Sequence, residues 1–553
     1  MESYDFIIVG AGCSGAVVAA RLAETPAKPS VLLLEAGGPN DSTEYMNADA
    51  RFTIAFSPNS PLNWGYKTAP QTHLAGQQID YSRGKGLGGS TAINFCGWLT
   101  GPRDDYDEWA RLVQDESFNW LNAKRNLDKI VKLHPELPVL SMTKYIHPDI
   151  RDHSTSGKVD ITYNREWMPD IDKVYTAAEQ IGWRINPDVN NGDPIGLGMG
   201  TTCIYKGQRL TSTSTYLPTP PPNLTIGTNA FVAKILLDGK RATGIITTDG
   251  RKFQARKEVI ISAGALNTPQ ILLLSGIGPS EELNKHGIPV FHELPMVGKN
   301  LMDHCTSQMA IARKRDLSTQ YHKPPQAPSP MGFFKLPRAL ASEEYQALPL
   351  AAKQFLQAPT EPNVEVCTRN AHTPPSFIDI APDENETWIG ALCFLDNPQS
   401  RGTVTLQSTD LTEKPIIDPQ FLTHPFDRRV MIEGIRELRK LLKAPVYAQD
   451  TLRFYGPEGD SDEEIWEHVR NNVGSSWHMS CTAKMGVSSD DACVDSDFRV
   501  FGLEALRIID MSVTPFVPSN HTQSTAYVIG EIASEKLIKE YEFDSSAEIG
   551  SRL

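Results

Sequence analysis

Two groups of residues in this chain have the types and spacing to do chemistry. The first is a glycine run near the start, Gly10-Ala11-Gly12-Cys13-Ser14-Gly15, which fits G-x-G-x-x-G. The second is a pair of histidines near the other end: His478 in Trp477-His478-Met479-Ser480-Cys481-Thr482, and His521 in Ser519-Asn520-His521-Thr522-Gln523. An imidazole with a pKa near ~6.5 can take a proton at cellular pH. The chain holds 13 histidines, so each of these two, taken alone, reads first as structural.

The glycine run has the right neighbours for its task. Phe6-Ile7-Ile8-Val9 before it is a short apolar run with the β-branched content of a buried parallel strand. Ala16 to Ala23 after it reads as a helix, its Ala16, Ala19 and Ala20 small enough for close packing. Val31-Leu32-Leu33-Leu34 is a second buried strand, and it ends in Glu35, about twenty residues beyond Gly15. Gly10 permits the tight turn, Gly12 lets backbone approach a pyrophosphate, and Gly15 lets the helix pack on the strand. The helix N-terminus meets the negative charge. Glu35 can accept hydrogen bonds from both ribose hydroxyls and would repel a 2′-phosphate. The pattern predicts a dinucleotide site and does not by itself separate NAD from FAD.

At 553 residues the chain is too long for one core, so two or more domains are expected. Its 53 Lys and Arg against 67 Asp and Glu leave a net charge of −14, which argues against nucleic acid and anionic membrane as partners. No apolar run approaches the ~20 residues that span a bilayer. The first strand begins within a few residues of Met1, which leaves no room for a signal peptide. Eight scattered cysteines without a C-x-x-C pair read as reduced, mostly buried thiols of an intracellular protein. No metal-ligand cluster is expected. At the other end, Ser551-Arg552-Leu553 is a conservative variant of the S-K-L peroxisomal signal, carried on a polar tail from Asp544 to Gly550. A peroxisomal import receptor is therefore an expected partner, with a cytoplasmic location as the alternative.

After Ala36-Gly37-Gly38-Pro39 comes a long polar stretch to about Thr72 that contains Trp64. A loop of this length inside a compact domain suits a lid or cofactor cover. Then follows Arg83-Gly84-Lys85-Gly86-Leu87-Gly88-Gly89-Ser90-Thr91-Ala92-Ile93-Asn94. Its glycines imply close backbone approach and an anion nest of successive N–H groups. This loop resembles the first signature of the glucose–methanol–choline family of flavin oxidoreductases. Gly264-Ala265-Leu266-Asn267-Thr268-Pro269, continuing to Gly278, resembles the second. Val297-Gly298-Lys299-Asn300-Leu301-Met302-Asp303-His304 and the block from Trp477 to Ile538 extend the likeness, in the family's order, over nearly the whole chain.

The resemblance implies FAD as cofactor. It implies an α/β FAD-binding Rossmann-like domain interleaved with an α+β substrate domain built on an antiparallel sheet. The expected FAD-binding parts are residues 1–156, 216–303 and 464–553, and the substrate parts 157–215 and 304–463. His478 falls on the family's catalytic histidine and His521 on its partner, which is His in some members and Asn in others. The implied roles are general base for His478 and hydrogen-bond partner of the substrate oxygen for His521. FAD would be held by Gly10, Gly12, Cys13, Ser14, Gly15, Glu35, Ala36, Trp64, Gly88, Gly89, Ser90, Asn94, Val232, Asp510, Thr522 and Gln523. Covalent-flavin members carry histidine where Ile93 stands, so noncovalent FAD is expected. Many members have glycine at the position of Cys481.

His521-Thr522-Gln523 is similar to the aryl-alcohol oxidase branch, whose substrates are aromatic or allylic primary alcohols. The implied reaction is oxidation of such an alcohol to an aldehyde, with dioxygen reduced to hydrogen peroxide. A dehydrogenase using a quinone or other acceptor, and a non-redox hydroxynitrile-lyase type, remain as alternatives. Elsewhere, Leu224 to Gly227 and Phe231 to Leu237 read as strands of a βαβ-type domain, and Pro269 to Leu274 as a short helix ending at Gly276. Phe377 to Ile380, Gly390 to Leu395 and Thr403 to Leu406 read as strands of the antiparallel sheet. Asp427 is placed as the cap of a helix with Met431, Ile435, Leu438 and Leu442 on its apolar face. Lys314 to Pro362, rich in proline, reads as an irregular surface segment whose Phe333 and Phe334 could cover a pocket mouth.

Overall fold

The computed structural model describes residues 1–48, 54–57, 59–163, 167, 170–317 and 329–544. The C-terminal tripeptide and Pro324, Pro325 and Pro328 lie outside these. The N-terminal pattern becomes the centre of a seven-stranded sheet. Leu224–Gly227, Val31–Leu34, Glu2–Val9 and Lys252–Ile261 lie side by side and parallel, with Leu506–Ile508 also paired to Lys252–Ile261. Phe6 stands opposite Val31, and Ile7 opposite Val259. Phe6 to Val9, Val31–Leu34, Val259 to Ile261 and Leu506–Ile508 are buried on both faces, which explains the unbroken apolar runs there. Val232–Asp238 is not part of a βαβ unit. It forms an antiparallel hairpin with Arg241–Thr247 across a turn at Gly239, φ +55°.

The first helix, Cys13–Glu24, packs closely on the last, Gln523–Glu540. A Cβ on Gly530 would stand 2.7 Å from Val17 Cβ. Ser14 Oγ donates to Ala526 O at 2.7 Å, and Arg21 pairs with Glu531. The two ends of the sequence thus close one layer over the sheet.

The second large sheet is antiparallel throughout: Thr451–Tyr455, Cys305–Lys314, Glu386–Leu395, Val364–Ala371, Pro330–Phe334 and Gly196–Met199, with Gly474–Ser475 paired to Cys305–Lys314. Helix Pro425–Leu442 lies against it, with Met431, Ile435, Leu438 and Leu442 buried as the apolar period requires. Asp427 is not its cap. His424 Nδ1 accepts from Phe426 N, while the Asp427 carboxylate accepts from Gln399 N, Ser400 N and Ser400 Oγ and so pins the preceding loop.

Three other expectations fail on packing. Residues 377–380 are not a strand, because Pro374 and Pro375 break the pairing before them. Thr403–Thr405 pairs with Ile416–Asp418 in a separate two-stranded sheet, outside the large one. Phe333 and Phe334 belong to the strand Pro330–Phe334, with Phe333 in the core, so they cover no pocket mouth. The helix expected from Pro269 starts at Gly264. Pro269 has no N–H to offer Ala265, and Ala265 O accepts instead from Thr482 Oγ1 at 2.6 Å.

Behind the second sheet, Asp105, Glu361 and Asp396 are buried without an ion-pair partner among the described residues. Burial, with Glu361 beside it, pushes Asp105 well above the usual carboxylate range, and burial lifts Glu361 to about 7 from an ordinary 4.5. A carboxyl whose pKa is raised by folding stabilises fully below its unfolded pKa and loses that contribution as pH climbs through the folded one. For Glu361 the loss falls between 4.5 and about 7. Glu361→Gln keeps the acceptor oxygen and cannot ionise. It should flatten the fall in Tm between about pH 5 and about pH 8 and leave the variant more stable at the upper end. An unchanged slope in a thermal-melt series would contradict this.

Candidate active site

One large cavity of about 1250 Å³ lies between the two sheets. Its wall runs from Glu35, Ala36 and Val232 past both glycine loops to His478 and His521. Of the expected site residues, Gly10, Gly12, Cys13, Ser14, Glu35, Ala36, Trp64, Gly89, Ser90, Asn94, Val232, Asp510, Thr522 and Gln523 line it. Gly15 and Gly88 do not. Gly15 backs the turn from behind, where a Cβ would stand 2.1 Å from Gly10 O. Gly88 packs toward Thr211.

At the first end the strands deliver the glycine turn and the acid to the same edge. Glu35 Oε2 accepts from Ala11 N at 3.0 Å, and Oε1 accepts from Gly37 N and Gly86 N, both at 2.9 Å. The carboxylate therefore ties the first glycine turn to the second glycine loop. Burial raises its pKa against the pull of those N–H groups. Three of its ~four lone-pair positions are in use, leaving less for ribose hydroxyls than the sequence suggested. The two loops touch: a Cβ on Gly89 would stand 2.8 Å from Gly12 Cα, whereas one on Gly12 would meet nothing within 4 Å. Gly12 thus presents bare backbone to the cavity, as a pyrophosphate cradle requires.

Several side chains expected at the cofactor are committed to protein. Ser14 Oγ serves the helix packing. Asp510 accepts from Gly264 N at 2.9 Å, Thr268 Oγ1 at 2.6 Å and Ser512 N at 2.7 Å, so it fixes the turn and leaves its backbone to face the cavity. Asn94 Nδ2 donates to Gln523 Oε1, and Asn94 Oδ1 accepts from Arg209 at 2.8 Å. Trp64 stacks on Tyr66, ring centroids 5.8 Å apart. Ile93 is buried at the cavity wall and carries no nucleophile.

At the other end, two loops carry the histidines. The His478 loop follows Gly474–Ser475 and is held by Asp303, which accepts from Ser475 Oγ at 2.6 Å and from His478 N at 2.8 Å. Trp477 and Cys481 on either side have φ of +61° and +74°. A left-handed conformation at Cys481 accounts for the glycine the family places there. Burial lifts Asp303 to about 6. The His521 loop is held from below by the buried carboxyls: Ser519 N donates to Asp105 at 2.7 Å and Ser519 Oγ to Glu361 at 2.8 Å.

The rings of His478 and His521 face each other, centroids 5.2 Å apart. Burial, with His304, His521 and Arg83 nearby, holds His478 well below the usual imidazole range. Burial opposes charge on His521 too, but Glu365 Oε1 lies 3.0 Å from its Nε2 and the net shift is upward. Its Nδ1 faces Gly97, where a Cβ would come within 2.7 Å. The sequence reading missed Glu365, His304 and Arg83. His304 and Arg83 stood inside the quoted motifs. Glu365 sits in an ordinary strand and gave no signal.

A bare glycine turn joined by one cavity to a histidine pair suits a dinucleotide-dependent oxidoreductase. The chain matches the GMC oxidoreductase family over residues 4–306 and 398–530, and it belongs to that family. It is 31% identical over 569 residues to the alcohol dehydrogenase [acceptor] of Pseudomonas putida, covering 99% of this chain and 98% of that protein. It is likewise 31% identical over 566 residues to an oxygen-dependent choline dehydrogenase of Pectobacterium carotovorum, covering 97% and 94%. A solved fungal aryl-alcohol oxidase superposes with a TM-score of 0.84 at 26% identity, covering 98% of this chain and 100% of that one. The protein is an FAD-dependent oxidoreductase of a family acting on CH–OH donors. The cavity's size, the bare Gly12 backbone and the joined glycine loops fit FAD.

Because Ile93 offers no bond-forming group, acid precipitation should release FAD intact into the supernatant. Flavin absorbance remaining in the washed pellet would contradict this.

Proposed function

We propose that the enzyme oxidises a primary alcohol, aromatic or allylic, to its aldehyde, with dioxygen taking the electrons and hydrogen peroxide formed. The observation that carries this reading is the unequal surroundings of the histidine pair: desolvation and the neighbouring His304, His521 and Arg83 press His478 toward its neutral form, whereas Glu365 Oε1 lies 3.0 Å from Nε2 of His521 and favours its charged form. A neutral imidazole can take the hydroxyl proton, and a protonated one can donate a hydrogen bond to the same oxygen as it gains charge. His521 has Nε2 paired with Glu365, and in this reading its Nδ1–H, beside Gly97 in the cavity wall, is the donor to the substrate oxygen. Bound FAD supplies the hydride acceptor. The protein holds the alcohol between the rings. Phe56, Phe95, Phe377, Trp388, Phe394 and Trp477 line the cavity and suit a flat apolar substituent.

A second reading, electron transfer to a quinone or other acceptor, is favoured by the likeness to the Pseudomonas putida alcohol dehydrogenase [acceptor]. Turnover with dioxygen compared with turnover with a dye separates the two. As a free carboxyl terminus, Ser551-Arg552-Leu553 would also suit a peroxisomal import receptor, and peroxisomal residence, with catalase at hand, is part of this proposal. A fluorescent reporter ending in this tripeptide should form peroxisomal puncta; a diffuse signal from both the reporter and the whole enzyme would sink that part.

The assignment of roles makes an ordered prediction. His478→Ala should retain FAD and slow anaerobic flavin reduction by alcohol by roughly 10²–10⁴-fold. His521→Asn should cost less than His521→Ala, because an amide still donates a hydrogen bond and cannot replace a base. Rapid mixing without oxygen measures this. Near-wild-type reduction by His478→Ala would remove it as the base, and greater damage at His521 would exchange the roles.

A further inference from the structure

We infer that His304 is a positioning residue for proton transfer: its ring nitrogen Nδ1 accepts a hydrogen bond from Nδ1 of His478, and this leaves Nε2 of His478 with the lone pair that takes the substrate's proton. The inference rests on the reading of His478 as base and deepens it.

The two Nδ1 atoms are 3.0 Å apart and the rings stand edge to face at 89°. A nitrogen–nitrogen contact of that length between neutral imidazoles contains one proton, since two lone pairs repel and two N–H groups clash. Only two arrangements satisfy it. If His304 donates, His478 must carry its own proton on Nε2 and has no lone pair for an alcohol. If His478 donates, Nε2 is basic. Proton abstraction by His478 therefore requires His304 to be the acceptor.

The surroundings suit that role. His304 is 1% exposed, and burial, with His521 nearby, pulls it down to about 3, so it stays neutral and can accept. Its Nε2 has no hydrogen-bond partner among the described residues. A proton handed to His304 would have nowhere further to go, so the residue orients and does not relay. An orphaned buried N–H is a cost that leucine or methionine here would avoid, and such exceptions call for a task. Asp303 next to it accepts from the backbone N–H of His478 at 2.8 Å. The dipeptide Asp303-His304 thus grips His478 by main chain and by ring. In the reaction the alcohol O–H bond breaks and an N–H bond forms at Nε2. The new imidazolium keeps its Nδ1–H on His304, and that hydrogen bond strengthens because its donor is now charged. The charged or titratable groups facing His478 are Arg83, His304, His521 with Glu365 behind it, and Asp303 on the backbone.

The test uses the FAD-loaded enzyme with benzyl alcohol as probe. His304→Gln retains an acceptor oxygen; His304→Leu and His304→Met do not. Anaerobic flavin reduction, FAD content and the pH dependence of reduction are measured for each, with His478→Ala in parallel. The apolar variant that keeps FAD should lose roughly 10²–10⁴-fold in the limiting reduction rate, with the half-saturating alcohol concentration little changed, as for a histidine held in the wrong tautomer. His304→Gln should recover to within about tenfold of wild type and keep its pH profile. Wild-type reduction by Leu or Met, or a Gln variant as impaired as they are, overturns the inference. If His478→Ala is inactive while His304→Leu is active, only the inference fails. If His478→Ala reduces flavin normally, the reading beneath it fails instead.

Discussion

The active site depends on one constraint: His304, His478 and His521 stand in a row, neighbouring ring centroids 5.2 Å apart, and among the described residues one carboxylate, that of Glu365, is hydrogen-bonded to any of the three rings. His304 is buried, His478 and His521 are partly buried, and desolvation opposes charge on each. Glu365, itself 1% exposed, sits on Nε2 of His521 and on neither of the others. Of the three rings, His521 is the one whose surroundings favour the charged form. A chemically symmetric pair of side chains becomes a donor and an acceptor through the placement of one strand residue, with no difference in the rings themselves.

Keeping that asymmetry requires loops to be as rigid as the sheets. Each histidine loop is anchored by buried acids: Asp303 accepts from His478 N, Asp105 from Ser519 N and Glu361 from Ser519 Oγ. Glu35 does the same for the two glycine loops. The same device recurs at both ends of the cavity. A carboxylate that accepts from backbone N–H and nearby hydroxyl groups holds irregular backbone where no regular ladder can. The cost is desolvated carboxyls with raised pKa values, which links the stability of the fold to pH through groups that never touch substrate.

The N-terminal half of the site was legible because its residues are local. Gly10, Gly12, Gly15 and Glu35 lie within one strand–turn–helix–strand unit, and short-range rules dictate what each must be. His478 and His521 were legible only through likeness to a family, since nothing local marks a catalytic histidine. What could not be read was pairing across long separations. Glu365 reaches His521 from a strand of the other sheet, and its pattern is that of any edge of a buried strand. The hairpin at Val232–Asp238 looked like a βαβ strand because alternation alone carries no direction. Asp427 looked like a cap because acids near helix starts usually are, yet its loop used both oxygens first. The committed side chains of Ser14, Asp510 and Asn94 follow the same lesson: a motif predicts which residues come to a site, and tertiary partners decide what their side chains do there.

The central claim is that the cavity takes hydride from the carbinol carbon of an alcohol whose proton goes to a neutral histidine. Its most direct test is anaerobic mixing of the FAD-loaded enzyme with benzyl alcohol and with its α,α-dideuterated form, following flavin absorbance. The account predicts full bleaching with both, slower by several-fold with the deuterated alcohol. Absence of bleaching across a panel of primary alcohols, or bleaching at equal rates with both isotopologues, would contradict it.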